Sequence, residues 1–514
     1  MSQVFGIFAD NFETNLEKLY MKTLFRAILS FIVGVALCAV SFSSCTTREV
    51  YDFEFELPGQ IVTEFSKTIV VPFKARNITS VVISSTPKGW KVDNINLQNW
   101  TITITAPESY AADDNKIVEN GTLSLTGYTA AGTAIHASSY LSLLRLEKDL
   151  TAEYSNSYVI TDVDTRYTID VSHKGESGER ISPAKVEVLW QTAVALISHC
   201  SFYSESNTFT FYVGGEDVTD DDGNTIGRRI IDGNAVVAAY DDNDNIIWSW
   251  HLWLTGSNPS DNAIETSAGV FMNRNLGAYH NSDGSAIGND IYKSYGLYYQ
   301  WGRKDPFARP YNYLFADNRD QTLYTYVGGS HSYRYVNSET DGVGTYEYAV
   351  AHPMSYVLGE EANDYDWLYS SHDNTLWNES TKSINDPCPR GWRIPQGNVF
   401  TTFDIAEDED GAALADVRKM YGWHLVDEAT GTKMFMPGAG RRSFENGVLT
   451  NINNYGFEHN PMPWTGYYWT AGIDAAKATS MFFDLNTTRA VNNRYEPTKP
   501  MYRANAMQVR CVRE

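Results

Sequence analysis

Acidic side chains, ten histidines and thirty-three tyrosines are the residues of this chain best able to do chemistry. Carboxylates are numerous, so a glycosidase-type pair stays open at this level. The histidines are dispersed. No His-Glu-x-x-His, no Gly-x-Ser-x-Gly elbow and no phosphate-cradling glycine loop occurs. Two acidic clusters stand out, Asp-Asp-Asp-Gly at 220–223 and Asp-Asp-Asn-Asp-Asn at 241–245. The second lacks the glycine and the distal glutamate of an EF-hand loop, and both read as hairpin turns between apolar runs. His251 sits in an apolar strand and reads as a sheet histidine, not a ligand. No cofactor and no metal site are expected, calcium being the one ion these loops would suit.

Of the five cysteines, the four from Cys45 onward divide by context. Cys45 follows Lys22, Arg26, a weakly apolar run over 27–40 and small residues at 41–44. That run is too short for a membrane span and reads as a signal peptide. Its Ser-Ser-Cys ending resembles a loose bacterial lipobox, with Cys45 as the lipidated first residue of the mature chain. On this reading Met21 is the true start, residues 1–20 are an over-called extension, and the protein is lipid-anchored at the outer membrane, on the cell surface. Cys388 lies in 385–395, Asn-Asp-Pro-Cys-Pro-Arg-Gly-Trp-Arg-Ile-Pro, where three prolines and a glycine preclude a regular helix or central strand. Trp392 and Ile394 give that segment something to bury. Cys511, in Gln-Val-Arg-Cys-Val at 508–512, is a candidate partner for Cys388. Cys200 follows an apolar run and is expected to be buried and inert.

The tyrosines concentrate in 311–356. Tyr311, Tyr313, Tyr324, Tyr326, Tyr333, Tyr335, Tyr346 and Tyr348 come mostly as Tyr-x-Tyr pairs among Gly, Ser and Asn. This is the composition of paratope loops, rigid amphipathic rings among adaptable polar residues. Alternating tyrosines also build strands with one buried face, and the sequence leaves both readings standing.

The elements that position these residues are mostly strands. A chain of 514 residues exceeds one hydrophobic core. Abundant Tyr and Trp, scattered Gly and Pro, and few helical periodicities predict a mainly β protein. A formal charge of −23 disfavours nucleic acid and anionic membrane surfaces as partners. After residues 1–45, period-two alternation at 53–57, 100–105 and 121–126 predicts a β-sandwich over 46–148. A second sandwich is expected over 149–258, from 208–213, 235–240 and 246–254. In the last run Trp248, Trp250, Leu252 and Leu254 share one face, and Ser249, His251 and Trp253 the other. Residues 257–262, Ser-Asn-Pro-Ser-Asp-Asn, are all turn formers and read as a linker to a third region, 259–514. There, short helices are expected over 396–403 and 411–421, with strands at 434–436, 467–470, 480–484 and 508–512.

Six blocks of this third region recur in a known order: Asn-Leu-Gly277, Tyr-Gly-Leu-Tyr-Tyr-Gln-Trp-Gly302, Cys-Pro-Arg-Gly-Trp-Arg-Ile-Pro395, Met-Pro-Gly-Ala-Gly-Arg441, Gly-Tyr-Tyr-Trp-Thr470 and Val-Arg-Cys-Val512. Residues 268–514 thereby resemble the major paralogous (FISUMP) domain of Bacteroidetes surface lipoproteins and fimbrial tip-like proteins. The resemblance implies an α+β, C-type-lectin-like fold after two immunoglobulin-like sandwiches, and a Cys388–Cys511 bridge within one domain. Closing that loop would stabilise by about 4–5 kcal/mol in the chain-entropy picture. Calcium-dependent sugar lectins of the wider fold use Glu-Pro-Asn or Gln-Pro-Asp followed by Trp-Asn-Asp. Here Trp377-Asn-Glu379 and Glu496-Pro-Thr498 are near-matches in reversed order, which disfavours that chemistry. Two functions follow. One is a non-enzymatic adhesin or fimbrial tip-like component whose C-terminal region binds a host, bacterial or glycan partner, with fimbrial subunits as further partners. The other is a glycan-handling surface lipoprotein that binds or hydrolyses polysaccharide.

Overall fold

The strand Ile246–Leu254 is buried on both faces, and the larger part of the molecule is built around it. A computed structural model describes residues 50–56, 60–107, 120–144, 146–222, 225–311, 320–405, 420–450, 465–485 and 494–514. Cys45, Tyr313 and nearly all of the helix expected over 411–421 lie outside them. By its contacts the chain divides into a small unit (up to residue 54, 74–82 and 126–137) and a large one comprising the rest. In the small unit Phe53 and Ile78 are buried, and Thr79 N donates to Tyr128 O at 2.8 Å.

The chain is mainly β, built from many short strands in small sheets. Within the large unit Thr68–Pro72 pairs antiparallel with Thr101–Thr105, which pairs antiparallel with Lys91–Asn96, and Gln60–Thr63 pairs in parallel with Tyr140–Leu143. Alternation along Thr101–Thr105 turns Ile102 and Ile104 fully inward.

In the large unit Ile246–Leu254 pairs in parallel with Ser157–Ile160 and antiparallel with Gly233–Tyr240, which pairs with Lys185–Gln191. Trp248, Trp250, Leu252 and Leu254 pack with Tyr167, Phe209 and Phe211 of the facing sheet, as the period-two reading requires. The opposite face carries Trp253 into a second core with Met272, Leu297, Trp301 and Trp469. A strand buried on both faces reads as a near-continuous apolar run. The acidic cluster after Gly233–Tyr240 is a turn: Asp241 Oδ1 accepts from Asn243 N and Asn245 N, and Asp244 has φ +63°.

Residues 257–262 do not act as a linker between independently packed bodies. Lys185–Gln191 also pairs with Leu323–Tyr324, so one six-stranded sheet draws strands from both sides of that stretch. Beyond it, short strands and irregular backbone dominate. Buried indoles satisfy that backbone: Trp301 Nε1 donates to Thr470 O, Trp469 to Tyr299 O, Trp367 to Trp301 O and Trp377 to Asn385 O, all at 2.8–3.0 Å. An aromatic that also carries a donor suits a core with little regular structure.

The proline-rich stretch 385–395 is pinned from several sides. Cys388 is bonded to Cys511, with Cα atoms 6.0 Å apart. Lys382 Nζ donates to Asp386 Oδ1, Cys388 O and Trp392 O at 2.9, 2.8 and 2.6 Å. Asn156 Nδ2 donates to Ile384 O and Asp386 O, and Ser157 Oγ to Pro387 O. Two local expectations need correction. Residues 508–512 are not one strand; Ala506–Met507 and Val512–Arg513 pair, Gln508 adds an isolated bridge to Tyr468, and the Gln508 and Arg510 side chains are turned inward to partners of their own. Residues 396–403 form no α-helix, only a 3-10 turn at Val399–Thr402, since Phe403 leaves it to start a strand.

Candidate ligand-binding cleft

The hairpin that extends the six-stranded sheet begins at Leu323–Tyr324 and returns at Ser330–His331. Its turn is encoded locally. Thr325 N donates to Gly329 O at 2.7 Å, Gly328 N to Thr325 O at 3.0 Å, and Gly328 takes φ +89°, where a side chain is disfavoured. The chain then runs into Arg334–Asn337, which pairs in parallel with Ser355–Leu358 and sets Tyr335 opposite Tyr356. Between the hairpin and this strand lies a cleft of about 370 Å3. Asp320, Leu323, His331, Tyr333 and Tyr335 are among its walls.

The eight singled-out tyrosines meet different fates. Tyr335 is 46% exposed, its ring 5.9 Å from Tyr356. It lies across Gly447, where a Cβ would fall 2.3 Å from Tyr335 Cε1, so only glycine admits this ring position. Tyr311 is also exposed. Tyr333 is not a free loop residue. Its ring packs on Phe307 at 5.2 Å; its hydroxyl accepts from Ala308 N at 2.9 Å and donates to Pro306 O at 3.4 Å. Burial pushes its phenol well above the ordinary value. Tyr346 and Tyr348 stand on the helix Tyr346–Ala351 rather than in a strand. There Tyr346 donates to Asn385 Oδ1 at 3.0 Å, and Tyr348 stacks on His352 at 4.0 Å. Tyr324 is a half-buried strand residue, and half-buried Tyr326 sits at the hairpin tip, outside this cleft. The structure thus brings Tyr333 and Tyr335 together and sends the other five described tyrosines elsewhere.

Arg442 supports the cleft from beneath. Its guanidinium donates to Asp320 Oδ1, to Ala308 O at 2.7 Å and to Gly447 O at 3.0 Å. Burial works against its charge, yet Asp320 outweighs burial and holds the group above its ordinary value. Arg442 therefore ties the Asp320 wall, the loop under Tyr333 and the glycine under Tyr335 into one frame. Neither Arg442 nor Asp320 was singled out from sequence as a site residue. The local signal is weak: Arg442 directly follows the glycine-rich block that ends at Arg441.

In chemical terms the cleft offers aromatic faces, hydroxyls, one imidazole and one carboxylate already engaged by a cation. That equipment suits recognition of a polar, largely uncharged surface. Among the described residues no group of three or more His, Cys, Asp or Glu side chains is placed to hold a metal ion. No described helix is long and apolar enough to cross a membrane.

No protein-family model matches the chain, and no curated protein matches it. Among solved structures it is similar to SGBP-B of the Bacteroides ovatus mixed-linkage glucan utilization locus, in complex with a mixed-linkage heptasaccharide. Identity there is 12% over 40% of this chain and 45% of that one, with a TM-score of 0.13. It is also similar to the Yersinia pseudotuberculosis adhesin InvE, at 16% identity over 49% of this chain and 74% of that one, TM-score 0.13. The insect immune protein hemolin aligns at 11% identity over 42% and 53%, TM-score 0.13. The chain spans less than half the length of the glucan-locus protein. Likenesses this slight say nothing of what this chain binds.

Proposed function

We propose that this protein is a cell-surface binding protein of the adhesin kind, held at the outer membrane by a lipid on Cys45. Residues 259–514 form its head, a C-type-lectin-like domain of the FISUMP family whose partner is a protein or glycan surface, with fimbrial subunits as assembly partners. One observation carries the reading: a cleft of about 370 Å3 with a fixed aromatic floor, Tyr333, and an exposed aromatic wall, Tyr335. A rigid ring loses little freedom when a partner covers it, which is why such residues anchor recognition surfaces. The cleft's one carboxylate is Asp320, paired with Arg442, so nothing in it favours a hydrolytic pair.

The test uses the whole mature chain, because the sheet behind the cleft takes strands from 149–258. It is screened against a glycan panel and against host and bacterial cells. Tyr335→Ala is expected to weaken any binding found by about tenfold or more, equivalent to about 1.4 kcal/mol. Unchanged binding would move the site elsewhere. For the anchor, Cys45→Ser should release the protein from the membrane fraction; continued retention would remove the lipid from the account.

A further inference from the structure

The tyrosine cleft opens along the edge of a sheet. In the six-stranded sheet the outermost strand on this side is Ser330–His331, and no described strand lies beyond it. Ser330, His331 and the next residue, Ser332, all line the cleft. Ser330 and Ser332 are exposed and His331 is half-buried. On the other side of the cleft, Arg334–Asn337 pairs with one neighbour only, Ser355–Leu358. Both strands that border the gap therefore keep a free edge.

The direction of the main chain along Ser330–Ser332 follows from the hairpin. Hydrogen-bonded and non-hydrogen-bonded pairs alternate in an antiparallel ladder. Thr325 N donates to Gly329 O at 2.7 Å, so Thr325 and Gly329 are a bonded pair. Leu323 and His331 pair two positions further along each strand and are bonded too; Tyr324 and Ser330, between them, are not. His331 thus turns its N–H and C=O inward to Leu323. Ser330 and, as the chain continues, Ser332 turn theirs off the open edge. No hydrogen bond joins Ser332, main chain or side chain, to another described residue. The edge consequently offers two donor–acceptor pairs about 6.8 Å apart, the repeat of every second residue in an extended chain.

We propose that this edge takes an extended polypeptide segment of a partner protein as an added strand, an assignment that rests on the tyrosine cleft being the binding site. The main chain of Ser330 and Ser332 pairs with the segment, and Tyr335, 46% exposed, packs on its side chains. In strand addition the main-chain bonds supply affinity, and contacts to alternate side chains supply selectivity. The unspent groups come as N–H and C=O together at the strand period. Their complement is another main chain, and a glycan carries no such pairs at that period. Asp320 is the one carboxylate in the lining and Arg442 holds it, so the cleft sets no uncompensated charge against the segment. The edge is short, which limits the added strand to a few residues and the affinity to the micromolar range.

The experiment selects a phage-displayed library of random linear dodecapeptides on the full mature chain and titrates the enriched peptides by calorimetry. Micromolar binding is expected. Copies of one peptide, each N-methylated at a single residue, should fall into two alternating sets. One set loses about tenfold or more in affinity and the other almost nothing, because only every second N–H of an added strand faces the edge. Tyr335→Ala should weaken binding by about tenfold or more, and amide exchange at Ser330 and Ser332 should slow in the complex. An empty selection overturns the proposal. So does a peptide whose N-methylated copies all bind alike, or one that leaves the Ser330 and Ser332 amides exchanging as in the free protein. The cleft survives each of these results if glycan or cell binding still falls with Tyr335→Ala. Peptide binding that ignores Tyr335→Ala would instead remove the cleft, and the added strand with it.

Discussion

Lowering the pH from 7 to 5 should destabilise this protein through one histidine. His251 lies in the strand buried on both faces, with Nε2 2.8 Å from Asn234 Oδ1 and Nδ1 3.1 Å from Ser157 Oγ. Asn234 already gives its Nδ2 to Gly277 O, so its oxygen faces the ring and Nε2 carries the proton. Burial lowers the pKa from 6.5 to about 3. The folded value lies below the unfolded one. Above pH 6.5 the histidine therefore costs nothing, and below it the unfolded chain takes up a proton that the native state refuses. The full difference is about 5 kcal/mol, lost as pH falls from 6.5 to 3, and about 2 kcal/mol of it is already gone at pH 5. Other groups titrate too, so the measurement is a difference. Urea unfolding of the wild type and of His251→Gln at pH 7 and pH 5 should show the wild type losing about 2 kcal/mol more. Equal losses would refute the reasoning. So would an imidazole resonance titrating at 6.5 or above. That second result has a structural meaning, because Ser157 Oγ also donates to Pro387 O at 2.6 Å. A ring protonated on both nitrogens could then donate to Ser157 and Asn234 together.

Replacing both Cys388 and Cys511 by alanine opens a loop spanning 123 positions and should cost about 5 kcal/mol, read as a lower urea midpoint. An unchanged midpoint would show that the pinning of 385–395 by Lys382 and Asn156 suffices alone. Lys382→Met removes a cation with three acceptors and strands Asp386 among buried groups; a loss of about 3 kcal/mol or more is expected in the same assay. Tyr333→Ala should cost about 3 kcal/mol, as a core aromatic does, whereas Tyr335→Ala should stay within about 1 kcal/mol of wild type. Equal costs would mean that the floor and wall of the cleft are misassigned.

Where a residue's fate is set by its neighbours in sequence, the chain could be read directly. Thr208–Val213 and Ile246–Leu254 alternate with period two, and the sheet honours that period. The turn at 241–245 follows from an aspartate beside amides it can accept. Local reading stopped where the partner is remote. Arg510 looks like an outward strand residue, yet its Nε reaches Asn275 Oδ1 at 2.8 Å, 235 positions away, so the strand breaks around it. Residues 257–262 have a linker's composition, and nothing in them reveals that strands on either side share one sheet.

The candidate site shows the same division within two residues. Tyr333 and Tyr335 have the same side chain, polar surroundings and a spacing that puts both on one face of a strand. Tyr333 finds Ala308 N and Pro306 O and becomes structure; Tyr335 lies across Gly447 with its phenol beside the Arg442 guanidinium, and its ring stays 46% exposed at the cleft. What separates them is backbone brought in from 25 positions earlier and 112 positions later. Arg442 is what fixes both of those loops at once, through Ala308 O, Gly447 O and Asp320. A tyrosine-rich composition therefore marks the region where a recognition surface can form. The buried arginine decides which ring is spent on the fold and which is left to meet a partner.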